Sequence, residues 1–166
     1  MVESWQRAQM YKAAVKGEWK TAEEMERLYP GALSMVISDT TMETPLHIAT
    51  RAMKASFVEK LVQCLGEHEL ASKNRYGNTA LCIAAAQGAV DIANILVHKC
   101  KALALIRGSG NSTPLLIAAR YKRNHVVSYL LSKTPAHGFL TIHEQMELLL
   151  GAISSSLPTN EGSVKI

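Results

Sequence analysis

Thr44-Pro45-Leu46-His47-Ile48-Ala49 returns as Thr79-Ala80-Leu81-Cys82-Ile83-Ala84 and again as Thr113-Pro114-Leu115-Leu116-Ile117-Ala118. The steps are 35 and 34 residues. Self-similarity at such a period marks a chain built from stacked units. One unit of this size cannot bury its own apolar face, so neighbours must cover one another and share a core.

Aligning the copies on their threonines extends the agreement. Ala49, Ala84 and Ala118 coincide. Phe57, Val58, Leu61, Val62 and Leu65 of the first copy match Ile92, Ala93, Leu96 and Val97 of the second, and Val126, Val127, Leu130 and Leu131 of the third. Apolar residues at three- and four-residue spacing predict two short helices per copy, not alternating strands. Thr44, Thr79 and Thr113 suit helix starts, where a hydroxyl caps free amides, and Pro45 and Pro114 at the first turn remove no needed donor. Ser56 with Glu59 has the spacing of a capping box for the second helix of the first copy.

Upstream, residues 11–19 read as the end of one helix, a stop at Gly17 and the start of another, with Thr21 and Glu24 again at capping-box spacing. Trp5 and Trp19 fall in this degenerate unit and are expected to cover the first end of the core. Downstream, Pro135-Ala136-His137-Gly138 breaks the pattern. Thr141 and Glu144 then open a further helix with Ile142, Met146, Leu149, Leu150 and Ile153 on one face, the beginning of an incomplete unit. The expected organisation is an all-α solenoid domain over residues 1–153: a cap at 5–30, repeats at about 40–73, 75–108 and 109–134, a partial unit at 141–153, and a disordered tail at 154–166.

With 166 residues and 48% hydrophobic content the chain suffices for one continuous core. Aromatic residues make up only 5%, as expected where Ala and Leu do the packing. No apolar run approaches membrane-spanning length and no secretory leader is expected, which points to a cytoplasmic chain, peripheral at the plasma membrane only through a partner. The three cysteines lack zinc spacing and are expected as buried free thiols. Cys64 and Cys100, on neighbouring units about 10 Å apart, are too distant for a disulfide.

Catalytic and cofactor signals are weak. His143-Glu144-Gln145-Met146-Glu147 lacks the second histidine of a zinc-binding helix, and Gly108-Ser109-Gly110-Asn111-Ser112-Thr113 lacks the lysine of a phosphate loop. No catalytic residue, cofactor or metal is assigned. His47 is expected to be structural, bonding Thr44 and the backbone of the neighbouring turn. A net charge of +4 and scarce aromatics give no nucleic-acid platform. Lys73, Arg75 and Arg107 on the loops, with Arg120, Lys122 and Arg123 at the end of a first helix, form instead a basic edge suited to an acidic or phosphorylated protein segment.

The hexamers and the flanking positions from about Trp5 to Ile153 resemble the ankyrin repeat family. Residues 11–19, 74–86, 106–108 and 127–130 resemble more narrowly plant ankyrin proteins that carry a C-terminal Pro-Gly-Gly membrane domain, which is absent from this chain. The resemblance implies a non-catalytic protein-interaction scaffold, an adaptor in plant stress or defence signalling. The alternative it implies is a truncated form or cytosolic part of a membrane-tethered relative, able to assemble with full-length ankyrin proteins. The expected partner-binding edge comprises Arg75, Tyr76, Asn78, Gln87, Arg107, Asn111, Arg120 and Lys122; the motif residues are Thr44, Pro45, His47, Gly77, Thr79, Gly88, Thr113 and Pro114. The family places glycine before the hexamer and between the paired helices. Gly77 and Gly88 comply, whereas Met42 and Asn111 replace the first and Met53 and Lys122 the second, so the first copy is expected to be the most strained.

Overall fold

The computed structural model describes residues 4–135 and 140–156, with side chains to 152. Four helical hairpins lie side by side: α1 (Ser4–Lys16) with α2 (Trp19–Leu28), α3 (Pro45–Arg51) with α4 (Ala55–Cys64), then a one-turn α5 (Glu67–Leu70), α6 (Ala80–Gln87) with α7 (Val90–Lys99), and α8 (Pro114–Arg120) with α9 (Asn124–Lys133). A last helix, α10 (Ile142–Ser156), packs on α8. Helices α1, α3, α6, α8 and α10 form an inner layer, each against the next, while α4, α7 and α9 form an outer one. Among the described residues the extended pairing is limited to one bridge, Ser38 with Glu43.

The repeat is equivalent down to single hydrogen bonds. Ala13, Ala49, Ala84 and Ala118 are fully buried. Each carbonyl accepts from the amide five residues on, from Glu18, Lys54, Ala89 and Arg123, at 2.8–3.0 Å. This is the bond that closes a helix through a left-handed residue. That residue is Gly17, Met53, Gly88 or Lys122, with φ of 77°, 58°, 83° and 55°. Because the next helix begins only one or two residues later, the backbone closure itself sets its start. The capping boxes read at Thr21 with Glu24 and at Ser56 with Glu59 therefore do not form; the caps are Glu18 and Lys54, without side-chain bonds.

The inner helices do start on their threonines. The Thr79 hydroxyl accepts from the Cys82 amide at 3.3 Å and that of Thr113 from Leu116 at 3.2 Å. Thr44 pairs instead with His47, whose Nδ1 lies 2.9 Å from the hydroxyl and accepts from the Thr44 amide at 3.3 Å. The opposite ring nitrogen donates to the Asn78 carbonyl of the next unit at 3.2 Å. Burial holds the His47 pKa below the ordinary 6.5, so a neutral imidazole clamps the two units.

Met42 and Asn111 also stand in the left-handed region, with φ of 55° and 56°. Met42 and Met53 are both well exposed and thus offset little of this strain by packing. Met53→Gly is expected to stabilise the chain by about 0.5–1 kcal/mol in urea titration, despite the added freedom of the unfolded chain. By the same reasoning, amides of residues 38–55 are expected to exchange faster than those of residues 79–100.

The ends depart from the sequence reading in three ways. Trp19 packs edge-on against Phe57 of the next unit at 5.5 Å, whereas Trp5 meets Tyr29 and stays 44% exposed, so only one indole is taken into the core. Cys82 and Cys100 are buried, but Cys64, the last residue of α4, is exposed; all three are free. Helix α10 runs to Ser156, into the segment expected to be a disordered tail. Residues 157–166, the breaker residues 136–138 and the Ile153 side chain lie outside what is described.

Candidate functional site

The turns before the inner helices and the exposed side of those helices enclose a groove of about 350 Å³. Ile83 and Ile117 supply its apolar floor, Tyr121 and Arg51 one wall, and Asn78 with Ser109 the other. Tyr76, at the tip of a turn, and Tyr121 are each 60% exposed on backbone fixed by neighbouring bonds. Tyr76 donates its amide to Asn74 Oδ1 at 3.0 Å, and Arg75 donates its amide to the Thr41 carbonyl at 2.8 Å.

Several residues assigned to the binding edge hold the stack together. Asn78 Oδ1 accepts from the Ser109 amide at 2.8 Å, laying one turn on the next. That approach requires Gly108, where a Cβ would come within 2.6 Å of Asn78 Oδ1 and 2.7 Å of Cys82 Sγ. Gln87 Nε2 donates to the Arg51 carbonyl at 2.9 Å, and Arg123 Nε to the Ala86 carbonyl at 2.8 Å, so both staple adjacent units.

The basic edge is not a row of equivalent groups. Arg51 reaches back to the buried Glu43, and Arg120, its counterpart, reaches back to the Ser112 hydroxyl at 2.7 Å. Arg120 also meets Glu147 through two bonds of 2.5 and 3.1 Å, and Arg107 meets Glu144 through two of 2.5 and 3.3 Å. Such two-pronged guanidinium–carboxylate pairs are strong and directional. Arg107 also donates to the Asn111 carbonyl at 2.7 Å. The guanidinium beside it lowers the Glu144 carboxyl from 4.5 to about 2, and Arg120 lowers that of Glu147. Arg107 and Arg120, read as partner contacts, thus anchor α10. Arg75, Tyr76, Asn111 and Lys122 remain exposed on the turns and helix ends.

Glu43, Asn74 and Glu144 are the residues that sequence reasoning missed. Asn74 is buried, accepts from the Tyr76 and Asn78 amides at 3.0 Å, and donates to Glu43 at 3.4 Å. The threonine-to-glutamate spacing of Thr141 and Glu144 was legible and does form a capping box, with bonds of 2.7 and 3.3 Å. That the same carboxylate binds Arg107 was not. Among the described residues no His, Cys, Asp or Glu cluster could hold a metal ion, and no helix is long and apolar enough to cross a membrane.

Comparison with known proteins gives the same architecture. Residues 14–103 match the family model for ankyrin repeats in three copies. An ankyrin repeat-containing protein of Arabidopsis thaliana is 32% identical over 105 residues, 58% of this chain, and the matched region spans 20% of that relative's length. A chain in the crystal structure of yeast ribosomal protein Rps3 in complex with its chaperone Yar1 superposes with a TM-score of 0.73 at 19% identity, covering 83% of this chain and 99% of that one. With hairpins closed by one repeated hydrogen bond and a family model spanning more than half its length, the chain belongs to the ankyrin repeat family, whose repeats serve as protein–protein interaction modules.

Proposed function

We propose that this chain is a non-catalytic adaptor that grips a protein segment in the groove over the inner helices. The observation that carries the reading is Tyr121, 60% exposed in the groove that Ile83 and Ile117 also line, with Tyr76 equally exposed at the tip of the turn before α6. Large amphipathic rings on rigid backbone are the side chains that dominate binding energy at interfaces. Arg75 and Lys122 flank them in sequence and favour a partner segment carrying carboxylates or phosphates next to an apolar anchor. Arg107 is left out of this surface, and Arg120, although it lines the groove, has its guanidinium committed to Glu147 and Ser112.

Similarity to an ankyrin repeat-containing protein of Arabidopsis thaliana supports a plant setting, and the resemblance to plant ankyrin proteins favours stress or defence signalling within it. The test is affinity capture with the full chain from plant cells before and after salt or elicitor treatment. Tyr76→Ala and Tyr121→Ala should each weaken a captured partner about thirtyfold, the equivalent of about 2 kcal/mol. Both variants should keep wild-type stability, because neither ring is buried. Undiminished binding in both removes the groove from consideration.

A second reading is that of the cytosolic part of a membrane-tethered ankyrin protein. It is supported by the alignment to 20% of a longer relative. Immunoblotting of membrane and soluble fractions decides it: a membrane-bound band well above 18.1 kDa is expected, and a soluble band at that mass alone opposes it.

A further inference from the structure

Among the described residues no outer helix lies beyond α9. On α4, Val58 and Val62 are 0% and 1% exposed, and on α7 the matching Ala93 and Val97 are 0% and 2% exposed. In both cases the next outer helix lies alongside, α7 against α4 and α9 against α7. Their counterparts on α9 are Val127 and Leu131, and Leu131 is 53% exposed. Together with Leu148, Gly151 and Ala152 of α10 they line a groove of about 510 Å³, to which Lys122 and the mutually paired Arg120 and Glu147 also contribute. By the register of this chain, that groove is the seat of an apolar helix.

Helix α10 borders the groove and is itself turned inside out. Glu144 and Glu147 point inward to Arg107 and Arg120. Ile142, Met146, Leu149 and Leu150, at three- and four-residue spacing, are 57–78% exposed. A contiguous apolar stripe of this kind marks an interaction surface. Charge identifies the occupant. Where such a face meets its own copy across a two-fold axis, residues near the axis meet their equivalents, so an unpaired charge on the central helix would oppose itself. Among the described residues of α10 none of the exposed ones is Asp, Glu, Lys or Arg, because both carboxylates are neutralised on the inner side. A second copy also brings what the groove lacks, a helix with an apolar stripe.

We propose that two copies of this chain pair through their terminal faces, with α10 of each lying against the α9–α10 groove of the other. The contact closes on itself and leaves Tyr76 and Tyr121 open to a different partner.

Sedimentation equilibrium of the full chain over a concentration series tests this. The expected result is a mass twice the 18.1 kDa of one chain. Met146→Glu with Leu149→Glu should return the mass to that of one chain without loss of helical circular dichroism, because both side chains are exposed. Leu131→Glu, on the groove side and not on α10, should weaken pairing at least tenfold as an independent check. A single-chain mass at every concentration overturns the proposal. So does a dimer unaffected by both variants. Growth beyond two chains also overturns it, since that would signal end-to-end stacking through the Trp5 and Tyr29 end instead.

Discussion

Glu144→Lys combined with Glu147→Lys detaches α10 from the stack: amide exchange across residues 142–152 rises by about one to two orders of magnitude, while α6 and α7 keep their protection. The docking of this helix rests on few contacts. Leu140 and Leu148 pack partly against the core, and the two arginine pairs supply the polar remainder. A 15-residue helix is marginal in water without tertiary support, so release and fraying go together. The Glu144 pair is the better shielded, with side chains 26% and 12% exposed, and a carboxyl lowered from 4.5 to about 2 corresponds to at most about 3 kcal/mol. The Arg120 guanidinium is 48% exposed, and solvent screening leaves its pair a smaller share.

The direction of the pH effect follows. A carboxyl whose folded pKa lies below its ordinary value stabilises fully above pH 4.5, and that contribution fades as pH falls toward 2. Local protection of α10 should therefore decline over this interval at constant temperature. The charge-swapped quadruple variant, with Arg107→Glu and Arg120→Glu added, should recover most of the lost protection. Exchange in α10 unchanged by the double reversal would show that its leucines alone hold it.

Leu81→Ala should cost about 3 kcal/mol in urea unfolding and lower the midpoint of the whole stack, not of one unit. Leu81 is fully buried in α6, the middle of the inner layer, where α3 and α8 pack on either side. The loss combines the transfer energy of the deleted carbons with the cavity they leave. In a solenoid the stability of each unit is tied to its neighbours, so a defect at the centre weakens two interfaces at once. Leu131→Ala, at an exposed site on α9, should change stability by less than about 0.5 kcal/mol in monomer. Equal costs at the two positions would contradict the assignment of core and rim.

Much of this could be read along the chain. The 35- and 34-residue steps located the inner helices, and the matched apolar positions located the outer ones. Met42, Met53, Asn111 and Lys122 stood out as substitutes for glycine and do adopt positive φ. The side-chain contacts along the expected binding edge were not legible. Arg107 and Arg120 look the same in sequence as Arg75 or Lys122, and nothing local says that carboxylates 37 and 27 residues further on will reach them. Gln87 and Arg123 likewise looked like surface groups, yet each donates across a unit boundary.

The amino-acid order alone determined which segments are helical and that they stack, because apolar spacing, threonine caps and left-handed stops act within a few residues. Which charges stay open to a partner, and which apolar faces stay uncovered, was decided by tertiary structure. Those outcomes depend on contacts between units: Glu144 neutralises Arg107 only once α10 lies on α8, and Leu131 is exposed where, among the described residues, no outer helix packs beyond α9.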